Sequence, residues 1–246
     1  MNVIKAPPTS ARLGNKFFMN MAISFLSAKY KQRAEYAMES ELNKLGIDFH
    51  REQKPQSVHE HLIKIDDNNF MKYIQGPDTA LAIEFQKDTY CQKSDFCQML
   101  KSHFADEALR TKIRNANPWT NRIGNNHDVF IHVRIGDVQH LTPSLSYYEK
   151  ALSSITYEKG YISSDSPNHP MINTLCQKYG LIKISDDQIR TIQFGSTCDK
   201  LILSHGTYSW LIGFLNFDST SVQYPKIKHI WHGDIFVFPE WTEVDW

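Results

Sequence analysis

No run of about 18 consecutive apolar residues, the length a helix needs to cross a bilayer, occurs anywhere in this chain. The start, MNVIKAPPTSARLGNKFF, lacks the uninterrupted apolar region of a secretory leader. A soluble, cytoplasmic protein without a membrane anchor is therefore expected. Net charge is missing too: 27 Lys and Arg balance 27 Asp and Glu. No global field then attracts nucleic acid or an anionic membrane. Cysteine is scarce, with 4 in 246 residues, no CxxC and no pairing with histidine at zinc-ligand spacing. Cys91, Cys97, Cys176 and Cys198 are expected as buried free thiols. The histidines, including HEH at 59–61, lack a third ligand at a recognisable spacing, so no metal site is expected. Internal repeats and low-complexity segments are also absent.

What is present is a chain with 41% hydrophobic residues, enough to bury a substantial core in one large or two small domains. NVIKA stops at Pro7-Pro8. Phe17, Phe18, Met21, Phe25, Leu26 and Ala28 then recur at three- and four-residue spacing, which predicts a helix with one apolar face. AEYAMESELNKLG predicts a second helix ending at Gly46. VHEHLIKID and TALAIEFQ read as strands, and a long helix is expected from Ser94 through Ile113. Residues 115–128, NANPWTNRIGNNHD, are rich in Asn, Pro and Gly and predict a boundary between domains 1–122 and 123–246. Beyond it, apolar strands (DVFIHVRI, KGYISSD, LIKIS, DKLILS, SVQYP) alternate with helices of ten to fourteen residues. That rhythm predicts an α/β domain with a doubly wound parallel sheet covered on both faces.

In such a sheet ligands bind beyond the carboxyl ends of the strands, where polar clusters are to be sought. In VFIHVRIGD, alternation sends His132 and Arg134 to one face and Val133 and Ile135 to the other, and Gly136 lets the chain turn before Asp137. A guanidinium there suits phosphate, or else it pairs with Asp137 across the turn. In LILSHGTYSW, an apolar strand meets Ser204, His205, Gly206 and Thr207 and runs straight into a helix. Backbone N–H groups and hydroxyls at a helix N-terminus suit an anion, although Ser204 or Thr207 could simply cap the helix. Ser164 and Asp165 end another strand, where they could read a nucleoside or start a turn. The tryptophans at 231, 241 and 246 are expected to cover an apolar face, with stacking on carbohydrate as the functional alternative.

These segments, in this order, resemble the α-1,2-fucosyltransferases of glycosyltransferase family 11 and their relatives in the fucosyltransferase-like GT-B group. ARLGNKFF resembles the family's G-R-L-G-N-Q-x-F, and DTYCQKSDF its G-Y-x-Q-S-x-x-Y-F. HVRIGDV is similar to H-V-R-R-G-D-Y, and SLSYYEKAL to the helix P-x-x-Y-Y-x-x-A-I. YISSD is similar to the strand ending in S-D-D, and SHGTYSWL to S-N-S-T-F-S-W-W. The sequence departs from the pattern where Lys16 stands for Gln, Ile135 for the second Arg, His205-Gly206 for Asn-Ser, Tyr208 for Phe and Leu211 for the second Trp.

The resemblance implies a GT-B fold, two Rossmann-like domains facing a cleft, and a metal-independent inverting glycosyltransferase. The expected donor is GDP-fucose or another GDP- or UDP-sugar, the acceptor a glycan hydroxyl held mainly by residues before 120, and no cofactor is implied. Carried onto this sequence, Arg134 would bind the donor diphosphate, with His132 and Asp137 holding the motif together and Asp137 a candidate base. Ser204, His205, Gly206, Thr207 and Ser209 would line the phosphates, Ser164 and Asp165 would lie near the nucleoside, and Asn15 would approach the reacting centre. A nucleotide- or glycan-binding module without transfer chemistry is the alternative.

Overall fold

A computed structural model describes residues 3–7, 11–54, 62–77, 82–226 and 234–245. The chain divides into two compact units, Met1–His103 with His232–Ile235, and Phe104–Trp231 with Phe236–Trp246.

The first unit contains β1 (Val3–Lys5), α1 (Leu13–Tyr30), β2 (Arg33–Glu35), α2 (Glu39–Asn43), β3 (Leu62–Ile65), α3 (Phe70–Gln75), β4 (Ala82–Phe85) and α4 (Ser94–His103). Its strands pair in parallel as β1 with β2 and β3 with β4. Helix α1 does not show the single apolar face expected of it. Met19, Asn20, Ile23 and Ser24 are buried along with Phe17, Phe18, Met21 and Leu26, whereas Ala28 is exposed. A helix covered nearly all round is a central element of its unit, and Phe96 of α4 packs edge-on against Phe70 of α3.

The expected helix over AEYAMESELNKLG is instead strand β2 followed by the short α2. Lys31 turns the chain with φ 48°, and Asn20 brackets Ala37 with two hydrogen bonds, Nδ2 donating to its carbonyl and Oδ1 accepting from its N–H. Pairing with β1 holds 33–35 extended against its helical propensity, and the Asn20 bonds fix the turn that follows.

The second unit contains α5 (Glu107–Ala116), β5 (Val129–Val133), α6 (Leu145–Ser153), β6 (Gly160–Ser164), α7 (Pro170–Tyr179), β7 (Ile182–Lys183), α8 (Gln188–Gly195), β8 (Lys200–Ile202), α9 (Thr207–Phe214), β9 (Ser221–Pro225) and β10 (Thr242–Val244). Its six strands form one wholly parallel sheet in the order β10-β9-β8-β5-β6-β7. Numbered from β5, that order is 3-2-1-4-5-6, the doubly wound arrangement of a Rossmann-like domain. Strand β10 was not expected from the sequence.

Every residue of β5 is buried, as a central parallel strand requires. Its odd-numbered residues, with Ile135, pack against Tyr147, Tyr148 and Leu152 of α6 and Leu175 of α7. On the other face Phe130 meets Phe194 of α8, and His132 meets Tyr208 of α9. Helix α9 is buried along most of its length, and Gly213 allows it to lie close to the sheet: a Cβ there would sit 2.9 Å from Leu203 Cδ1. Trp241 is buried against Trp210 and Phe238, the covering role expected of it; Trp231, Trp246 and the HEH segment lie outside the described residues.

The long helix expected from Ser94 is two helices, because Asp106 caps α5 by accepting the Leu109 N–H. The division between the units falls there, between His103 and Phe104, and not at 122–123. Residues 115–128 belong to the second unit through specific bonds. Asn117 Nδ2 donates to the Gln193 carbonyl at 2.7 Å, Asn126 Nδ2 to that of Thr197 at 2.9 Å, and Arg122 bonds Asp128 at 2.8 Å. Asparagine here satisfies backbone groups, so its abundance reports loop anchoring and not a linker.

Among the described residues no helix is long and apolar enough to cross a membrane. Cys91, Cys97 and Cys198 are buried free thiols, as expected, and Cys176 is half-buried. Burial raises the pKa of all four, that of Cys198 to about 12.

Candidate functional site

The strand order reverses between β5 and β8, where one chain crosses to α6 and the other to α9 on the opposite face. A crevice outside the carboxyl ends of two such strands is where doubly wound sheets bind ligands. The chain leaves β5 as Arg134-Ile135-Gly136-Asp137 and leaves β8 as Leu203-Ser204-His205-Gly206, so the two polar clusters singled out in the sequence flank this one point.

His132 is buried and its Nδ1 lies 2.5 Å from Ser209 Oγ. The same hydroxyl accepts the Ser204 N–H at 3.2 Å. Ser209 therefore ties β5 to the turn after β8. Burial lowers the His132 pKa to about 3, with Arg134 and His205 lowering it further and Asp165 opposing. His205 is buried as well, and its pKa is lowered for the same leading reason. Both imidazoles are neutral at physiological pH.

Arg134 bonds two carboxylates: Nη1 donates to Asp165 Oδ2 and Nη2 to Asp137 Oδ1. The pairing with Asp137 across the turn, one of the two readings open from sequence, is thus present, and Asp165 joins it from β6. Asp165 also accepts the Ile135 N–H at 3.0 Å. Gly136 leaves room for this carboxylate, because a Cβ there would lie 2.5 Å from Asp165 Oδ2 and displace it. Thr142, which sequence reasoning did not single out, donates its hydroxyl to the Arg134 carbonyl at 2.9 Å and closes the turn. Ile135 is 3% exposed in the apolar cluster beneath α6, so its side chain is part of the core on the face opposite His132.

Gly206, with φ 95°, occupies the cap position of α9, so neither Ser204 nor Thr207 is the N-cap. Thr207 opens the helix. Ser204 is wholly buried with its Oγ outside any hydrogen bond of good geometry, beside the buried Tyr148 hydroxyl, whose pKa burial raises. Ser164 Oγ accepts the Ser166 N–H at 3.0 Å, the turn-starting role left open for it. Tyr147, a second residue without a role in the sequence reading, donates to the Leu203 carbonyl at 2.6 Å and anchors the end of β8. Its position in SLSYYEKAL was visible, but nothing local distinguished it from core.

Asn15 belongs to α1 of the first unit. Its Oδ1 accepts from Gln92 Nε2 at 3.2 Å, which joins ARLGNKFF to DTYCQKSDF, and the neighbouring Lys16 is buried with its pKa lowered by that burial.

A cavity of about 160 Å³ lies at the other end of the second unit's strands, lined by Asn126, His127, Thr197, Asp199, Asp218 and Thr220 among others. These residues precede β5, β8 and β9. Among the described residues no group of three or more His, Cys, Asp and Glu stands together as metal ligands would.

Fold and site define a doubly wound parallel α/β domain of Rossmann-like topology, with charged and hydroxyl side chains gathered at its switch point. Compared with models of known protein families and with characterised proteins, the chain matches none. The likeness to fucosyltransferases therefore stands on the motif residues alone.

Proposed function

We propose that the second unit binds a nucleoside diphosphate sugar and that the protein is an inverting glycosyltransferase of the fucosyltransferase type. GDP-fucose is the favoured donor and a glycan hydroxyl the acceptor. The observation that carries this reading is the convergence of Arg134, Asp165 and the Ser204–Ser209 turn at the switch point between β5 and β8. In the reaction the acceptor hydroxyl oxygen attacks the anomeric carbon and gives its proton to a carboxylate or to water, the bond from that carbon to the diphosphate breaks, and the electron pair leaves on the diphosphate. Negative charge grows there, and a guanidinium together with the N-terminal amides of α9 is the set of groups that stabilises it. Asp165, at the end of the second strand of the Rossmann order, stands where such domains keep the carboxylate that bonds a ribose hydroxyl.

Thermal unfolding with GDP, UDP and their fucose, glucose and galactose conjugates tests the reading without added metal. GDP or UDP raises the melting temperature, and Arg134→Ala removes the shift. A panel in which no nucleoside diphosphate stabilises the protein overturns it. Binding without transfer is the second reading, favoured by the engagement of both Asp137 and Asp165 with Arg134 and by the neutrality of His132 and His205. Donor bound but neither hydrolysed nor transferred across a panel of acceptors selects it.

A further inference from the structure

The guanidinium that should grip the diphosphate is already held by two carboxylates. The pair is unequal. Asp165 is fixed at two points, on Arg134 Nη1 and on the Ile135 N–H at 3.0 Å, and it packs on Gly136 so closely that no side chain fits between. Asp137 grips the other terminal nitrogen, Nη2, from a short turn, and its side chain is 56% exposed against 24% for Asp165. With His132 and His205 neutral, the cluster carries one positive and two negative charges, which repels an anion for as long as both carboxylates stay.

We propose that Asp137 is a built-in competitor for the anion site: it occupies Arg134 Nη2 in the ligand-free protein and is displaced when a phosphate group takes that nitrogen. Asp165 stays in place and keeps the guanidinium oriented, so one arm of the fork is fixed and the other exchangeable. The exchange rewards a ligand with adjacent phosphates, because a single weak anion gains little over the carboxylate it replaces. The proposal deepens the nucleotide-sugar reading by assigning regulation to the same site, yet its test does not depend on the nucleoside.

Inorganic pyrophosphate, titrated calorimetrically into the full chain, is the probe. Asp137→Asn removes the competing charge and keeps the size of the side chain. The variant is expected to bind pyrophosphate about three- to ten-fold tighter than the parent, the scale of one partly screened charge acting on a multivalent anion. Asp137→Glu, which restores the charge, returns affinity to within about two-fold of the parent. Adding Arg134→Ala to Asp137→Asn abolishes the gain. Equal or weaker binding by Asp137→Asn, a gain that survives loss of Arg134, or no pyrophosphate binding by any variant overturns the proposal. The same variants titrated with GDP, UDP and ADP separate the two ideas. If pyrophosphate behaves as expected but no nucleoside diphosphate binds better than pyrophosphate, the nucleotide-sugar reading falls and the competitor role stands.

Discussion

Both ends of the second unit's strands gather polar side chains, but the carboxyl ends open on the point where the strand order reverses. At the amino ends, around the cavity, asparagine side chains bond the backbone, beside the ion pairs Arg122–Asp128 and Arg114–Asp218. Asn126 Nδ2 donates to the Arg122 and Thr197 carbonyls while its Oδ1 accepts the N–H groups of Asp128 and Asp199, and Asn216 Nδ2 donates to the Cys198 carbonyl. At the carboxyl ends Arg134 bonds Asp137 and Asp165, and His132 bonds Ser209, beside side-chain bonds to the Ile135 and Ser204 N–H groups and to the Arg134 and Leu203 carbonyls. A backbone bond cannot be given up without moving the chain, whereas a side-chain pair can be exchanged for a ligand. The amino ends, with their asparagine-anchored loops, are thus the structural end, and the carboxyl ends at the switch point are the functional candidate.

Substitutions at the two ends should separate function from stability. The largest effect is expected for Arg134→Ala, which lowers donor turnover by about 10²–10³ through loss of charge stabilisation on the leaving group. A transfer or donor-hydrolysis assay checks it, and unchanged turnover would dissolve the functional half of the comparison. Asn126→Ala is expected to act the other way, costing about 2–4 kcal/mol in urea unfolding by orphaning backbone groups while leaving ligand affinity within two-fold.

His132 supplies a pH test at the carboxyl end. Its pKa is about 3 when folded and near the ordinary imidazole value when unfolded, so below about pH 6.5 the unfolded chain binds the extra proton. The contribution is complete above pH 6.5 and is lost as pH falls toward 3, at roughly 1 kcal/mol per pH unit. Asp165, Arg134 and His205 are the charged or titratable groups that act on it. Urea unfolding of parent and His132→Gln between pH 7 and 5 should show the steeper loss in the parent, and parallel slopes would contradict it. The smallest effect is expected for Ser209→Ala, about 1–2 kcal/mol of stability from the uncoupling of His132 and the Ser204 N–H. Chemical denaturation measures it.

Much of the second unit was legible because its elements announce themselves locally. Val129–Val133 is apolar apart from one histidine, and alternation correctly sent His132 and Ile135 to opposite faces. Gly206 and the run into Thr207 marked a strand-to-helix turn. The first unit was read less well for a physical reason: its extended segments are short and are held by pairing with strands distant in the chain. Ala34 and Glu35 have helical preferences that pairing with Ile4 and Lys5 of β1, well back in the chain, overrides. Residues 115–128 misled in the same way, since Asn and Gly serve a linker and an anchored loop equally well until Gln193 and Thr197 are seen to receive their bonds.

By itself the sequence determined the alternation of strands and helices and which polar residues stand at strand ends, because each follows from neighbours a few positions apart. Only the tertiary structure decided the order of the strands, and with it the meeting of β5 and β8 at a switch point. It alone also decided that Arg134 is shared between Asp137, three residues away, and Asp165, thirty-one residues away. The first partner was visible as spacing, but the second became a neighbour only when β6 was laid beside β5, since pairing across a parallel sheet is a property of the packed chain and not of any local stretch.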